Sequence, residues 1–131
     1  MRTLIAGAGP TGLVVALELA RRGIAFDIIS AAPGPGTTSR AIAIHARTLE
    51  FYEQLGFADE ILALGSIMQS VRIRHDGMDL ATIALGEIGQ DLSRFPFVFS
   101  LAQDDHERFL IGKLRELGAE VQWNCPLVSF E

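Results

Sequence analysis

The order of apolar and polar positions predicts a strand, a helix and a second strand at the start of the chain. Residues 3–6 form a short apolar run that ends at Gly7, which is typical of a fully buried strand in a parallel sheet. Residues 13–22 show the helical spacing of apolar side chains, and Gly23 suits the end of a helix. Residues 24–29, with the sequence IAFDII, are mostly apolar and predict the second strand of a βαβ unit.

The rest of the chain predicts a mixture of helices and strands. Residues 30–39 hold two prolines and two glycines and predict a loop. The pattern then predicts helices over 42–55, 58–64 and 104–117, hairpin strands over 71–75 and 80–85 around a turn at 76–79, an extended segment over 95–101, a strand over 119–123 and the start of another over 127–130. Pro96 indicates an edge strand or the first position of a strand. The fold class is therefore α/β, a Rossmann-like βαβ unit with a parallel sheet and an added β-hairpin.

Composition narrows the classes of function. A chain of 131 residues predicts one domain, and a formal net charge of −5 argues against a broad nucleic-acid surface. Cys125 is the only cysteine, which excludes an intrachain disulfide and favours a cytoplasmic location. The N-terminal apolar run is too short for a signal peptide, and no run approaches the roughly 18 apolar residues of a membrane span. One cysteine and three isolated histidines do not make a metal site.

The turn after the first predicted strand has the spacing of a dinucleotide-binding loop. Gly7 allows a tight turn, Gly9 lets the backbone approach a pyrophosphate, and Gly12 lets the helix pack closely on the sheet. Pro10 and Thr11 lie between these glycines, where the helix N-terminus offers N–H groups to phosphates. The same spacing alone is a weak signal, but here the strand and helix stand on either side of it.

The ribose position departs from the dinucleotide-binding pattern. An Asp or Glu is expected about 20 residues on, at the end of the second strand, and Ser30 stands there instead. Asp27 lies three residues earlier, inside the strand. Ser30 lacks the charge-assisted hydrogen bonds of a carboxylate, so one interpretation is a nucleotide site of lower affinity. Tolerance of a 2′-phosphate is another, although Ala31 and Ala32 supply no basic side chain for it.

Three sequence blocks together resemble one family, the FAD-dependent aromatic-ring hydroxylases. These are single-component flavoprotein monooxygenases related to para-hydroxybenzoate and phenol hydroxylases. The blocks are GAGPTGL at 7–13, SRAIAIHARTLE at 39–50 and LAQ at 101–103, and they fall in the family's order and spacing. The second block is the most specific, and the resemblance extends over the whole chain.

The resemblance implies roles for several residues. Arg40 matches an arginine that reaches the FAD phosphates, and Gln103 matches a contact to the ribityl–phosphate region of the flavin. For Arg47 a structural role is at least as plausible as cofactor contact, and Glu107 is expected to make an intrahelical or helix–loop pair. His45 has no readable partner for catalysis, and we expect His75 and His106 at the surface. The predicted cofactor-binding residues are thus Gly7, Gly9, Pro10, Thr11, Gly12, Ser30, Arg40 and Gln103, and no catalytic residue is predicted.

The activity that the resemblance implies is mostly the chemistry of the cofactor. NAD(P)H reduces FAD, O₂ reacts with the reduced flavin, and the resulting flavin C4a-hydroperoxide hydroxylates a small aromatic-type substrate. Two alternatives remain open from the sequence. One is a truncated, non-catalytic nucleotide-binding module, which Ser30 favours, and the other is a different Rossmann-fold flavin or NAD oxidoreductase, which the block at 39–50 disfavours.

The resemblance also implies a longer parent. Family members have several hundred residues and carry Asp-Gly and Gly-Asp motifs that have no counterpart here, so residues 1–131 resemble the N-terminal part of the FAD-binding domain. Such a chain could be an expressed fragment, a proteolytic product or a truncated reading frame. We expect residues 66–101 to contribute to a substrate-side β region. Their exposed strand edges predict self-association of the isolated chain.

Overall fold

The computed structural model describes residues 3–37 and 43–129 of the chain. They form four helices and seven strands within these ranges. In chain order these are β1 (Thr3–Ala6), α1 (Pro10–Arg21), β2 (Phe26–Ile29), β3 (Ala43–Ile44), α2 (Ala46–Leu55), α3 (Ala58–Leu62), β4 (Ser66–Met68), β5 (Ser70–His75), β6 (Met78–Ala84), β7 (Val98–Ser100) and α4 (Gln103–Glu116). The chain divides into two compact units, residues 1–39 with 103–131, and residues 40–102. No helix in the described ranges has the length and apolar character needed to cross a membrane.

The first unit is built on the predicted βαβ arrangement, which is confirmed. Strands β1 and β2 pair in parallel, with Ala6 opposite Ile29. Helix α1 contacts both strands and packs on α4, and its buried face consists of Leu13, Ala16 and Leu17. Gly23 has a left-handed backbone conformation and stands just after the end of α1, as the sequence predicts.

Strand β1 is less buried than the sequence predicts. Its side chains alternate, and Leu4 is 53% exposed. The prediction of a fully buried strand assumed cover on both faces, as in a complete doubly wound sheet. In this unit the described parallel pair has only two strands and packs against α1 on one face, so alternate side chains face outward.

The predicted strand over 119–123 is reduced to a single bridge. Gln122 pairs in parallel with Ile29, donates its N–H to the carbonyl oxygen of Ile28 and accepts from the N–H of Ser30, both at 2.9 Å. Asn124 follows in the left-handed region with φ of 55°, and the turn there ends the regular strand. The N–H groups of Asn124 and Cys125 still donate to the carbonyl oxygens of Ala32 and Ser30. Residues 127–129 form no strand, so the prediction at 127–130 is wrong over its described part.

The second unit contains an antiparallel three-stranded sheet in the order β3-β7-β4. The predicted helix over 42–55 is therefore wrong at its start: Ala43 and Ile44 pair with Ser100 and Phe99, and α2 begins at Ala46. Tertiary pairing overrides the local helical spacing at these two residues. Strand β4 is absent from the predicted elements. Pro96 stands just before the central strand β7, in agreement with an entry position and not with an edge strand.

The hairpin β5–β6 is confirmed, with a tighter turn than predicted. Asp76 and Gly77 have φ of 48° and 78°, as a two-residue type I′ turn requires, so β6 already begins at Met78. The pairing shifts register between Ile73 and Arg74, which is the position of a bulge. Every residue of both strands is exposed.

Candidate functional site

The glycine turn leaves β1 at the carboxyl ends of the parallel strands. Gly7 has a φ of 117°, a conformation that favours glycine, and its N–H donates to the carbonyl oxygen of Ile29 at 2.8 Å. The turn is thereby fixed beside the end of β2, where Ser30 follows. Ligands of open α/β sheets bind outside this edge of the sheet.

Gly12 is required by close packing within the turn. A Cβ at this position would overlap the carbonyl oxygen of Gly7 and would lie 3.1 Å from its carbonyl carbon and 3.4 Å from Cγ2 of Ile5. The third glycine of the motif therefore serves the approach of helix to strand, as the sequence predicts.

Gly9 has a different surrounding. Its φ of −77° and ψ of 179° are open to any residue, and a Cβ there would meet no described protein atom within 4 Å. The fold itself thus makes no use of glycine at this position. The absence of a side chain leaves open space directly at the N-terminus of α1.

The N-terminus of α1 carries an uncompensated positive end. Gly9 is the N-cap residue and provides no side-chain cap, Pro10 stands in the first turn, and that turn contains no acidic residue. The first N–H groups of a helix have no intrahelical acceptor, and the helix dipole favours an anion beside them. Thr11 is exposed at the same end. This arrangement suits a phosphate group.

Ser30 is held mainly through its backbone. Its N–H donates to Gln122 at 2.9 Å, and its carbonyl oxygen accepts from the N–H of Cys125 at 2.8 Å. Its Oγ accepts from the N–H of Ala32 at 3.3 Å, which closes a local turn. Asp27 remains inside β2, where its carboxylate accepts from the side chain of Gln122 at 3.2 Å.

Gln103 and Glu107 form a connected pair on α4. The Gln103 amide donates to Oε1 of Glu107 at 2.9 Å, and Oε2 of Glu107 accepts from the N–H of Gly36 at 3.1 Å. The intrahelical and helix–loop pairing expected of Glu107 is confirmed. The contact to Gly36 joins residues 71 positions apart, and no local sequence signal identifies that partner.

The remaining predicted residues fall into three groups. Arg40 lies outside the described residues. Arg47 pairs with Glu50 at 3.1 Å on the surface of α2, and His45 and His75 are exposed. His106 is buried, so its predicted surface position is wrong.

The burial of His106 follows from the orientation of α4. The helix turns His106, Glu107, Leu110, Ile111 and Leu114 inward, whereas Leu117, just after its end, is 45% exposed. Burial lowers the pKa of His106, while the adjacent Glu107 carboxylate opposes this effect.

The Glu50 carboxylate of the second unit joins α2 to the segment before β7. It accepts from the Ser93 hydroxyl at 2.7 Å, and Ser93 Oγ accepts from the N–H of Phe95 at 3.1 Å. Two hydrogen bonds to Glu50 lower its pKa, and the bond from Ser93 has a larger effect than the bond from Arg47. The acidic residue of the RTLE sequence, Glu50, therefore has a structural contact here.

Over residues 3–37 and 43–129, no group of three or more metal-ligating side chains could hold an ion.

Comparison with known proteins decides the family. A family model described as FAD binding domain matches residues 1–131. The chain belongs to this family of FAD-binding domains. The predicted family is confirmed, and the matched region is the N-terminal FAD-binding region of monooxygenases.

Relatives of this FAD-binding domain are monooxygenases. The chain is 39% identical over 128 residues to 6-methylpretetramide 4-monooxygenase from Streptomyces rimosus, covering 98% of this chain and 23% of that protein. It is 35% identical over 127 residues to pentachlorophenol 4-monooxygenase from Sphingobium chlorophenolicum, covering 96% and 23%. The chain thus spans about a quarter of the length of these curated relatives.

A solved structure has the same fold. The crystal structure of the flavin-dependent monooxygenase PieE in complex with FAD and substrate superposes with a TM-score of 0.85 at 27% sequence identity, covering 100% of this chain and 25% of that one. The predicted α/β class is confirmed by this match.

The described residues of this FAD-binding domain fit its cofactor. The open space at Gly9 and the uncapped N-terminus of α1 suit a pyrophosphate group. The Ser30 hydroxyl, which accepts from Ala32 in this structure, offers a single hydroxyl where a carboxylate is usual.

Proposed function

We propose that this chain holds the adenosine and pyrophosphate end of FAD in an NAD(P)H-dependent monooxygenase that hydroxylates an aromatic-type substrate. The observation that carries the proposal is the open space at Gly9 above the uncapped N-terminus of α1. The relatives' names supply the reaction class, since they are monooxygenases acting on compounds such as pentachlorophenol.

Each predicted residue receives a role in this proposal. Gly7 and Gly12 shape the loop, and Gly9 leaves room for the pyrophosphate. Pro10 and Thr11 begin the helix whose N–H groups bind the pyrophosphate, and Ser30 hydrogen-bonds the adenosine ribose. Gln103 and Arg40 extend the site toward the ribityl chain and the phosphates, as the family resemblance implies. A guanidinium suits phosphate through its paired N–H donors.

FAD supplies the redox chemistry of the proposed reaction, by the oxygen-transfer route that the resemblance implies. The overall balance consumes NAD(P)H, one proton, O₂ and an aromatic C–H, and yields NAD(P)⁺, water and the phenol. The residues of this chain bind and orient the cofactor. Residues 66–101 are proposed to form part of the substrate-side β region of the whole enzyme. The rest of that region would cover the hairpin β5–β6, which is exposed here.

A non-catalytic nucleotide-binding module is the second candidate, and Ser30 is the observation in its favour. A serine gives one neutral hydrogen bond where a carboxylate gives a charge-assisted, bidentate one. The two candidates share the nucleotide site and differ in turnover, so the first experiment addresses the site that both require.

The experiment is a titration of the purified chain with FAD, followed by flavin fluorescence and visible absorbance. We expect saturable binding, displacement of FAD by ADP, and no saturable binding of FMN, because FMN lacks the adenosine and the second phosphate. Binding of FMN as tight as that of FAD, or no binding of FAD by a folded chain, would overturn the proposed role. NAD(P)H oxidation by a full-length parent with a phenol then separates the monooxygenase from the non-catalytic module.

A further inference from the structure

The loop of residues 31–37 is attached at both of its ends. At its start, Ala32 donates to Ser30 Oγ at 3.3 Å, and its carbonyl oxygen accepts from the N–H of Asn124 at 2.9 Å. At its end, the N–H of Gly36 donates to Glu107 and its carbonyl oxygen accepts from Arg108 at 3.3 Å. The loop leaves the carboxyl end of β2, beside the glycine turn, and the chain continues from it to Arg40.

Glu107 is unusual among the acidic residues of α4. It is 8% exposed, whereas Asp105 and Glu116 have exposed side chains that pair with basic neighbours on the helix. Both of its carboxylate oxygens accept hydrogen bonds, one from Gly36 and one from Gln103. Burying a carboxylate is costly unless it is hydrogen-bonded, so this pair of contacts fixes Glu107 in one place.

The contact with Gln103 also fixes an orientation. A carboxylate can only accept, so the NH₂ end of the Gln103 amide must face Glu107, and its carbonyl end faces away from it. The contact with Gly36 leaves little room at that residue, since a Cβ there would lie 3.2 Å from Oε2 of Glu107. Glycine at this position lets the carboxylate approach the backbone closely.

We propose that Glu107 is a positioning residue for FAD, which fixes the 31–37 loop at Gly36 and orients the amide of Gln103. This inference rests on the proposed function, because the loop and Gln103 matter only if FAD binds beside them. Within the described part of the chain, Glu107 hydrogen-bonds Gly36 and Gln103 and not the glycine turn or Ser30, so its effect on FAD acts through these two partners.

The test compares FAD affinity in matched variants. Glu107→Ala removes both contacts, and we expect FAD to bind about tenfold more weakly, as the loss of a charge-assisted hydrogen bond allows. Glu107→Gln keeps an acceptor for Gly36 but turns an NH₂ group toward Gln103, so its affinity should lie between those of wild type and Glu107→Ala. Glu116→Ala, which removes an exposed carboxylate from the same helix, should leave the affinity unchanged.

Two glycines of the loop provide a second matched pair. Gly36→Ala pushes against Glu107, whereas a Cβ at Gly34 meets no described atom within 4 Å, and neither position has a positive φ. We expect Gly36→Ala to weaken FAD binding and Gly34→Ala to leave it unchanged. Equal affinities for this pair, or a Glu107→Gln chain as weak as Glu107→Ala, would overturn the proposal.

Hydrogen exchange gives a readout that needs no FAD. In Glu107→Ala the Gly36 amide should exchange faster, while the amides of α1 keep their protection. Unchanged exchange at Gly36, or a uniform loss of protection in both regions, would contradict a local positioning role. A wild-type chain that fails to bind FAD overturns the proposed function and this inference together, whereas wild-type binding that all variants share overturns this inference alone.

Discussion

Gly12 lies so close to Gly7 that a Cβ on Gly12 would overlap the carbonyl oxygen of Gly7. This contact holds the first turn of α1 against the end of β1. It separates the roles of two glycines in one motif, because the fold depends on Gly12 while Gly9 faces open space. The two positions therefore predict different results for the same substitution.

Gly12→Ala should destabilise the chain because its Cβ overlaps the carbonyl oxygen of Gly7, and not through a contact with FAD. Overpacking of a close contact costs about 1–3 kcal/mol, so the free energy of unfolding should fall by that amount. Gly112→Ala is the control, since a Cβ there meets no described atom outside its helix and alanine favours a helix over glycine. Urea unfolding measures both, and equal stabilities for the two variants would contradict the packing described here.

His106 predicts a loss of stability in mild acid. Burial lowers its pKa in the folded chain below the ordinary 6.5, so the unfolded chain takes up a proton first as the pH falls. Stability should therefore be complete above about pH 7 and should decline as the pH falls below the unfolded value. Unfolding by urea between about pH 7.5 and about pH 5 measures this decline.

His106→Gln should flatten that pH profile, because glutamine does not titrate. His75→Gln is the control, since the side chain of His75 is 73% exposed. A decline of the same steepness in wild type and His106→Gln would show that another group carries the pH dependence.

The hydroxyl of Ser93 should control the pKa of Glu50. Its hydrogen bond is the largest cause of the lowered pKa, ahead of the bond from Arg47. Ser93→Ala should therefore raise the pKa of Glu50 more than Arg47→Ala does, and both should bring it closer to 4.5. A carboxyl-detected NMR titration measures the order, and the reverse order would refute the assignment.

Glu50 adds a second contribution to acid sensitivity. Because its folded pKa lies below the unfolded one, the stability that it provides is present above about pH 4.5 and is lost as the pH falls through the folded value. The Glu50 contribution begins to be lost below about pH 4.5, whereas the decline that His106 causes begins as the pH falls through 6.5.

The hairpin predicts self-association of the isolated chain. Val71 faces Ile83 across the strands, and both side chains are exposed, at 38% and 45%. The double variant Val71→Thr with Ile83→Thr should lower the association seen by sedimentation. Thr82→Ala, on the alternate position of the same strand, is the control. A wild-type chain that stays monomeric at low and high concentration would count against this prediction.

The sequence was most informative where local rules decide the structure. The strand–turn–helix around Gly7 follows from glycine spacing and is confirmed. The hairpin is also confirmed, although its turn is Asp76–Gly77 and not the predicted 76–79. Helix α4 was predicted to within one residue at each end, because the periodicity of its side chains is strong.

Partners distant in the chain were harder to predict. Ala43 and Ile44 continue the helical spacing of α2, yet they pair with β7 more than 50 positions later. The same limit applies to the site, since the bond between Glu107 and Gly36 joins segments with no shared pattern. The surface position predicted for His106 is wrong because the orientation of α4 is set by its packing on α1, which lies far from it in the sequence.

The most direct test of the central claim is FAD binding by Gly9→Ala beside Gly34→Ala. Neither added Cβ meets a described protein atom within 4 Å, so Gly34→Ala should unfold at the stability of wild type within about 0.5 kcal/mol. Gly9→Ala places alanine at an N-cap and should lose about 1 kcal/mol at most, which leaves the chain folded. We predict that Gly9→Ala loses FAD binding by about tenfold or more while Gly34→Ala binds as wild type does, because the space at Gly9 belongs to the pyrophosphate. Equal FAD affinity in the two variants would contradict the site proposed for this chain.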